Sequence, residues 1–182
     1  GIGTTTSPNP GGANQREAGI LYLAKSNFIT LNLTDTLANY STVGNRTNAI
    51  ELSKNPGNNG GIPSLLFLGQ TNVINVDSIA VGRDKNNAGA TYGWMGFNPA
   101  FPAPVAVFRG VAGGSSRVTW WAVGDGGAAA STSNGGYGTN DFTAGTIDVM
   151  VESMSLGRDC SASSSWVGPN RGVFVFNAGT VD

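Results

Sequence analysis

The chain has 182 residues and a formal net charge of −1, and it is long enough for one domain with a sizeable core. Its ten basic residues are scattered, and it contains no apolar run of about 18 residues, so we expect neither nucleic-acid binding nor a membrane span. It has no His and a single Cys, Cys160, which excludes His-based catalysis, most zinc sites and an internal disulfide. We therefore predict no enzymatic activity, no metal and no cofactor.

The beginning of the chain is predicted to be an extended tail over residues 1–19, followed by one domain over residues 20–182. The tail shows no hydrophobic period, and Pro8 and Pro10 cannot donate to a β ladder. The whole chain has 28 Gly and only 12% charged residues, together with abundant Asn, Ser and Thr. This composition is typical of strands and turns, and it favours an extracellular or cell-surface location.

The first element of the domain recurs 45 residues later. Residues 20–33 match residues 65–77, with Leu21-Tyr22-Leu23 aligned to Leu66-Phe67-Leu68 and Ser26-Asn27 aligned to Thr71-Asn72. Apolar residues alternate with polar or small ones, which is the period of a half-buried strand. Each unit therefore predicts a strand, a corner and a second strand.

A second motif recurs further along the chain. The endings Ser78-Ile-Ala-Val-Gly-Arg-Asp84 and Ser153-Met-Ser-Leu-Gly-Arg-Asp159 share one pattern, in which a strand stops at a Gly. Repeated strand-and-turn units predict stacked rungs, so we expect an all-β fold, a single-domain parallel β-helix (β-solenoid) with irregular loops. The alternative is a β-sandwich or jelly roll. The predicted rung corners are Gly44, Gly69, Gly82, Gly124 and Gly157.

The motif Gly145-Thr-Ile-Asp148, followed by the Gly-Arg-Asp ending, resembles the parallel β-helix passengers of bacterial exported surface proteins, in particular autotransporter-associated β-strand repeats. The resemblance covers roughly residues 20–33 and 65–182 with gaps. It implies a secreted, elongated protein with a structural or adhesive role, and it carries over no catalytic residue.

Two Arg-Asp pairs are the most prominent charged motifs: Arg83-Asp84 and Arg158-Asp159. An Arg can act as a base in β-helix polysaccharide lyases. Both pairs here follow the same corner of their repeats, however, and recurrence favours a structural ion pair at each turn.

Four tryptophans are candidates for stacking on glycans or for contact between copies of the chain: Trp94, Trp120, Trp121 and Trp166. Because Trp120 and Trp121 are adjacent, they point to opposite faces of a strand, so one of them lies outside the core or in an interface. Three sequons mark candidate glycosylation sites at Asn32, Asn39 and Asn45.

The two ends of the predicted fold suggest a function. The chain shows no amphipathic cap, begins with an uncharged tail and stops shortly after a new strand starts at Gly179. An uncapped strand is a template for another chain. We therefore expect a secreted structural protein that assembles head to tail with copies of itself, as a homopolymer, into an extracellular filament or surface layer. The alternatives are a glycan-binding or polysaccharide-degrading β-helix and an adhesin module.

Overall fold

The computed structural model describes residues 19–31, 49–53, 63–83, 91–125, 136–158 and 170–182. Within these ranges the regular structure consists of twelve strands, without a helix. In chain order the strands are β1 (Ile20–Tyr22), β2 (Ser26–Thr30), β3 (Ala49–Leu52), β4 (Ser64–Leu68), β5 (Thr71–Asn75), β6 (Ser78–Val81), β7 (Thr91–Phe97), β8 (Val105–Arg109), β9 (Trp120–Val123), β10 (Gly136–Val149), β11 (Met154–Leu156) and β12 (Arg171–Val181).

The strands form two sheets, and every ladder between the described strands is parallel. The large sheet has eight strands in the order β1-β4-β7-β10-β8-β5-β2, and β12 pairs with the remaining side of β10. The small sheet has four strands in the order β11-β9-β6-β3. The sequence match at a distance of 45 residues predicts the observed register, since Ile20 pairs with Leu65 and Ser26 pairs with Thr71.

The prediction of a single-domain parallel β-helix is wrong, and so is its β-sandwich or jelly-roll alternative. The strands instead form a parallel sheet that curls into a half-barrel and a second, separate parallel sheet. The cause lies in β10, whose 14 residues run without a break and pair first with β7 and then with β8. Strands that the sequence assigned to separate faces of a rung therefore join one sheet. A sandwich or jelly roll would need antiparallel strands, and the described ladders contain none.

Buried amides hold the bends of the large sheet. Asn72 accepts the N–H of Gly69, one of the predicted corners, at 2.9 Å and donates to the Gly69 carbonyl at 2.8 Å and the Val105 carbonyl at 3.0 Å. Asn27, on the neighbouring strand β2, donates to Asn72 Oδ1 at 2.8 Å and to the Ala24 carbonyl at 2.7 Å. The polar atoms of the bends are thus satisfied inside the protein, as burial requires.

The hydrophobic core lies between the two sheets. Alternate strand residues face inward, so each strand supplies an apolar side chain at every second position. Aromatic rings meet edge to face at the centre, where the Phe108 and Trp121 centroids are 4.8 Å apart. The largest fully buried apolar side chains are Trp121, Phe108, Phe142, Leu52, Leu68, Ile74, Ile79, Met95 and Ile147.

Candidate functional site

The predicted corner glycines of the small sheet occupy equivalent positions. Gly82, Gly124 and Gly157 directly follow β6, β9 and β11, and their φ angles are 66°, 64° and 63°. The corresponding position after β3 is held by Ser53, with a φ of 55°. Ser53 lacks the glycine signal that marks the other three turns, so the sequence pattern predicted Gly44 for this role instead.

Several predicted site residues lie outside the described ranges. The structure therefore gives no position for them, and they stay predictions. They are Gly44, Asp84, Asp159, Trp166, the three sequon residues Asn32, Asn39 and Asn45, and residues 1–18 of the predicted tail.

The arginines of the two repeated motifs line the outer side of the small sheet. The Arg158 guanidinium forms an ion pair with Asp125, whose carboxylate is fully buried, at 2.8 Å. Asp125 follows β9, the neighbour of β11, so the pair joins two adjacent strands of the small sheet. Arg83 is also buried, and its guanidinium lies 4.8 Å from the centre of the Trp120 ring. These contacts are charge-assisted and cation–π interactions that fix neighbouring strands.

The tryptophans do not form one surface. Trp121 is fully buried in the main core and donates its indole N–H to Asn140 Oδ1 at 2.8 Å. Trp120 points to the opposite face, as predicted for adjacent strand residues, but it is only 9% exposed and packs with Ala80 and Ala122. Because Trp121 is fully buried, its ring is not available to a glycan. Trp94 is half-buried on the outer face of the large sheet.

Trp94 belongs to an aromatic ladder that sequence analysis did not identify. The rings of Tyr22 and Phe67 stack with centroids 4.5 Å apart and planes 7° apart, and Phe67 lies 4.9 Å from Trp94. Trp94 reaches the ladder because the strand position paired with Phe67 is Gly96, which leaves room for the indole. The sequence feature that could have predicted this ladder is the alignment of Tyr22 with Phe67 in the recurring unit. Tyr22 and Phe67 cover one face of each other's rings, and the outer face of the Tyr22 ring remains free.

Within the described part of the chain, no group of three or more His, Cys, Asp or Glu residues is placed to hold a metal ion. The same ranges contain no helix with the length and apolarity needed to cross a membrane.

The first edge of the large sheet consists of β1 and β2, each of which has a described partner strand on one side only. Leu23 and Leu31 donate their N–H groups to carbonyls of β4 and β5, at 2.8 and 3.0 Å. Alternate residues of a parallel ladder direct their backbone groups to opposite sides. The N–H and C=O groups of Tyr22 and Phe28 therefore point away from the sheet. Both side chains are exposed, that of Phe28 to 79%.

The second edge is β12, which pairs only with β10 among the described strands. Asp182, just after β12, donates its N–H to the Val149 carbonyl at 2.9 Å and accepts the N–H of Val151 at 2.8 Å. Asp182 thus directs its backbone groups toward β10. The preceding residue, Val181, directs its own N–H and C=O groups away from the sheet by the same alternation.

Exposed apolar side chains are concentrated on these two edges. Ten large apolar residues are exposed in the described ranges, and seven of them lie on the first or the second edge. An edge strand is normally the place where charge or proline prevents pairing, so this distribution is unusual. The seven are Ile20, Leu21, Tyr22 and Phe28 on the first edge and Val175, Phe176 and Val181 on the second.

The hydrophobic core is also open at both ends. The inward-facing apolar residues nearest each end pack on the core but remain only partly buried, whereas those in the middle are fully buried. Partial burial leaves apolar surface in contact with water, which is unfavourable. The partly buried set comprises Leu23, Ile29, Leu31 and Ile50 near the first edge and Val151, Met154 and Phe174 near the second.

Comparison with protein families, with curated proteins and with solved structures found no match for this chain. Its function is therefore inferred from its own residues and their arrangement.

Proposed function

We propose that this protein is a structural subunit that associates head to tail with copies of itself through the first and second edges. The observation that carries the proposal is the pair of unguarded, apolar edge strands at opposite sides of one parallel sheet. Each edge offers unpaired backbone groups and exposed apolar side chains to a second chain. A contact between two different surfaces of the same molecule does not close on itself, so repetition gives a filament.

In the described ranges the edge strands lack the charged residues and prolines that prevent strand addition in many monomeric proteins, although β1 and β2 are short, with three and five residues, and Lys25 lies in the bend between them. Soluble proteins place Lys or Pro on edge strands, shorten them or cover them. Neither β1 nor β2 contains a charged residue or a proline. The ten residues that follow Arg171 in β12 are uncharged and contain no proline. Both edges are therefore suited to pairing through main-chain hydrogen bonds.

The magnitude of apolar burial fits reversible association. The seven exposed edge side chains are between 38% and 79% exposed. If association buries all of them, they contribute on the order of 5–10 kcal/mol, since full burial of one such side chain stabilises by about 1.5–3 kcal/mol. The loss of translational and rotational freedom costs about 4–15 kcal/mol. Main-chain hydrogen bonds must supply the surplus, so we expect assembly to depend on protein concentration.

An extracellular filament or surface layer is the form of assembly that the composition favours, because low charge and abundant Gly, Asn, Ser and Thr are typical of exported structural proteins. Glycan binding has less support. Of the aromatic residues on the outer face, Tyr22 and Phe67 stack on each other, and so do Tyr92 and Tyr137, with planes 11° apart. Stacking covers one face of each of these rings, and the free outer face of Tyr22 lies on the edge that the proposed association buries.

A matched pair of substitutions tests the proposal. Val175 on the second edge and Val105 on β8 inside the large sheet are the same residue type, with exposed fractions of 38% and 39%. We expect Val175→Lys to abolish association because a charged side chain would have to be buried at the contact, whereas Val105→Lys leaves it unchanged.

Sedimentation velocity over a series of protein concentrations measures the effect. Circular dichroism spectra of both variants establish that the fold is retained. A wild-type chain that sediments as a monomer at every concentration, or equal loss of association in both variants, would contradict head-to-tail association through these edges.

A further inference from the structure

We infer that β12 of one copy pairs in parallel with β1 and β2 of the next copy, with Val175 opposite Tyr22 and Val181 opposite Ile29. This inference rests on the proposed head-to-tail association and specifies its residue-level contact. The occupant of each edge is thus the opposite edge of a second copy of this chain.

The lengths of the two edges match. β12 has 11 residues and runs along β10, which itself spans the two shorter strands β7 and β8. The first edge covers the same length, because β1, its bend and β2 together run from Ile20 to Thr30. One long strand therefore faces two short strands and a bend, which is the arrangement already present where β10 meets β7 and β8.

The register follows from the ladders inside the sheet. In the first half of the sheet, one ladder position runs from Tyr22 through Phe67, Gly96 and Asp141 to Val175. A copy that continues this ladder places its own Tyr22 next to Val175. A slip of one residue would exchange inward and outward side chains, which the apolar inner face prevents.

The second half of the sheet gives the same register. There the ladder runs from Ile29 through Ile74, Phe108 and Val149 to Val181. A slip of two residues would keep the faces but separate the bend of β12 from the bend between β1 and β2. A difference in bend length is tolerated, because β10 and β12 already pair across a register shift at their bend.

The free backbone groups of the two edges are complementary in this register. Within the sheet, the Leu65 N–H donates to the Gly19 carbonyl, one residue before its ladder partner Ile20. By the same pattern, the Tyr22 N–H of one copy donates to the Phe174 carbonyl of the other. In the second half, the Val181 N–H donates to the Phe28 carbonyl.

In the first half of this contact, where β1 faces residues 173–175, all the side chains are apolar. On the outer face, Ile20 lies against Val173 and Tyr22 lies against Val175. The free face of the Tyr22 ring, which ends the aromatic ladder within one copy, is covered by Val175 of the neighbour. On the inner face, Phe174 and Leu21 meet, so the core of one copy continues into the core of the next.

Disulfide trapping tests the register. In a background with Cys160→Ser, the pair Tyr22→Cys with Val175→Cys places two thiols at one ladder position, about 5 Å apart between Cα atoms, which is within disulfide range. Inside a single copy the two positions lie on opposite edges, about 19 Å apart across four strand intervals, so any link joins two copies. The pair Ile20→Cys with Val173→Cys is a second in-register test.

Three controls are matched to these variants. The crossed pair Tyr22→Cys with Val173→Cys lies on the same face but two residues out of register, about 8 Å apart, which is beyond disulfide range. A lone Val175→Cys tests symmetric pairing of two β12 strands. The pair Leu52→Cys with Leu156→Cys tests direct pairing of the small sheets through β3 and β11.

We expect covalent multimers on non-reducing gels from the two in-register pairs, at least tenfold more than from any control. Association in sedimentation combined with links in the crossed pair would overturn this register and leave head-to-tail association through the two edges standing. Links in the lone Val175→Cys or in the small-sheet pair would overturn both. Absence of association by sedimentation in the reduced, unlinked chains would overturn both.

Discussion

The turns that follow β6, β9 and β11 offer a direct test of how the two sheets are joined. Gly124 and Gly157 have nearly the same φ, 64° and 63°, so an Ala at either position adopts the same unfavourable backbone conformation. The surroundings differ. A Cβ on Gly124 would lie 2.0 Å from the Arg171 carbonyl oxygen, while a Cβ on Gly157 would find its nearest atom at 3.3 Å.

These distances determine how much each substitution should lower the free energy of unfolding. The positive φ alone costs an Ala about 1–2 kcal/mol, which is the loss expected for Gly157→Ala. Gly124→Ala adds a clash with the backbone of β12, and relief of such overpacking costs about 1–3 kcal/mol more. We expect Gly82→Ala to be as destabilising as Gly124→Ala, because its Cβ would lie 1.9 Å from the Tyr137 carbonyl oxygen.

Urea denaturation followed by circular dichroism measures the three free energies of unfolding, at a concentration where the chain is monomeric. We expect the midpoints to fall in the order wild type, Gly157→Ala, then Gly124→Ala and Gly82→Ala, with unchanged denaturant dependence. If Gly157→Ala is as destabilising as Gly124→Ala, the close backbone contacts of Gly124 with Arg171 and of Gly82 with Tyr137 add nothing to the cost of the positive φ, and the reasoning is refuted.

Two further predictions concern buried polar groups. Asn72→Ala removes four hydrogen bonds at the bends of the large sheet, and we expect a loss of about 2–4 kcal/mol in urea denaturation. The ion pair of Arg158 with the buried Asp125 should show a larger coupling energy in a double-mutant cycle than the exposed pair of Arg117 with Asp182, which we expect to contribute about 0.2–1 kcal/mol. Equal coupling energies would show that burial of Asp125 does not strengthen its pair.

Local patterns in the sequence predicted strand pairing but not the architecture. The recurrence at 45 residues gave the register of β1 with β4 and of β2 with β5, because aligned side chains keep the same face and the same bend. The expectation that a new strand starts at Gly179 was wrong, since Gly179 lies within β12. The sequence Gly179-Thr-Val-Asp182 repeats Gly145-Thr-Ile-Asp148, but the two are offset by two residues in the ladder, because Ile147 pairs with Gly179. The bend of β12 is two residues shorter than the corresponding stretch of β10, so the register between the two strands changes at the bend. The length of such a bend cannot be predicted from the alternation of strand residues.

The parallel β-helix prediction was wrong for a related reason. The sequence marks corners by glycine and polar residues, and these also occur within β10, where Thr143, Ala144 and Gly145 continue the strand. The continuous β10 merges two sets of strands into one sheet. Whether the chain bends or breaks at such a place depends on its pairing with neighbouring strands, which is a tertiary property.

Long-range contacts at the candidate sites were equally hidden. The partner of Arg158 in the structure is Asp125, 33 residues earlier, and nothing in the local motif indicates it. The guanidinium groups of Arg83 and Arg158 both lie over the Trp120 ring, 4.8 and 5.9 Å from its centre, and neither contact is visible in the local sequence. The apolar edges, by contrast, follow from the uncharged strands that begin and end the described sheet, and their sequences are visible in the chain.

Head-to-tail association is tested most directly by the axial repeat of the assembled protein, measured by electron microscopy or fibre diffraction. Five strands lie side by side from β1 through β4, β7 and β10 to β12. Since parallel strands are about 4.8 Å apart, each copy should add about 24 Å along the filament axis. Filaments with that repeat and an axial reflection near 4.8 Å are the expected result. An assembly that lacks this repeat, or a chain that stays monomeric at its highest soluble concentration, would contradict association through these edges.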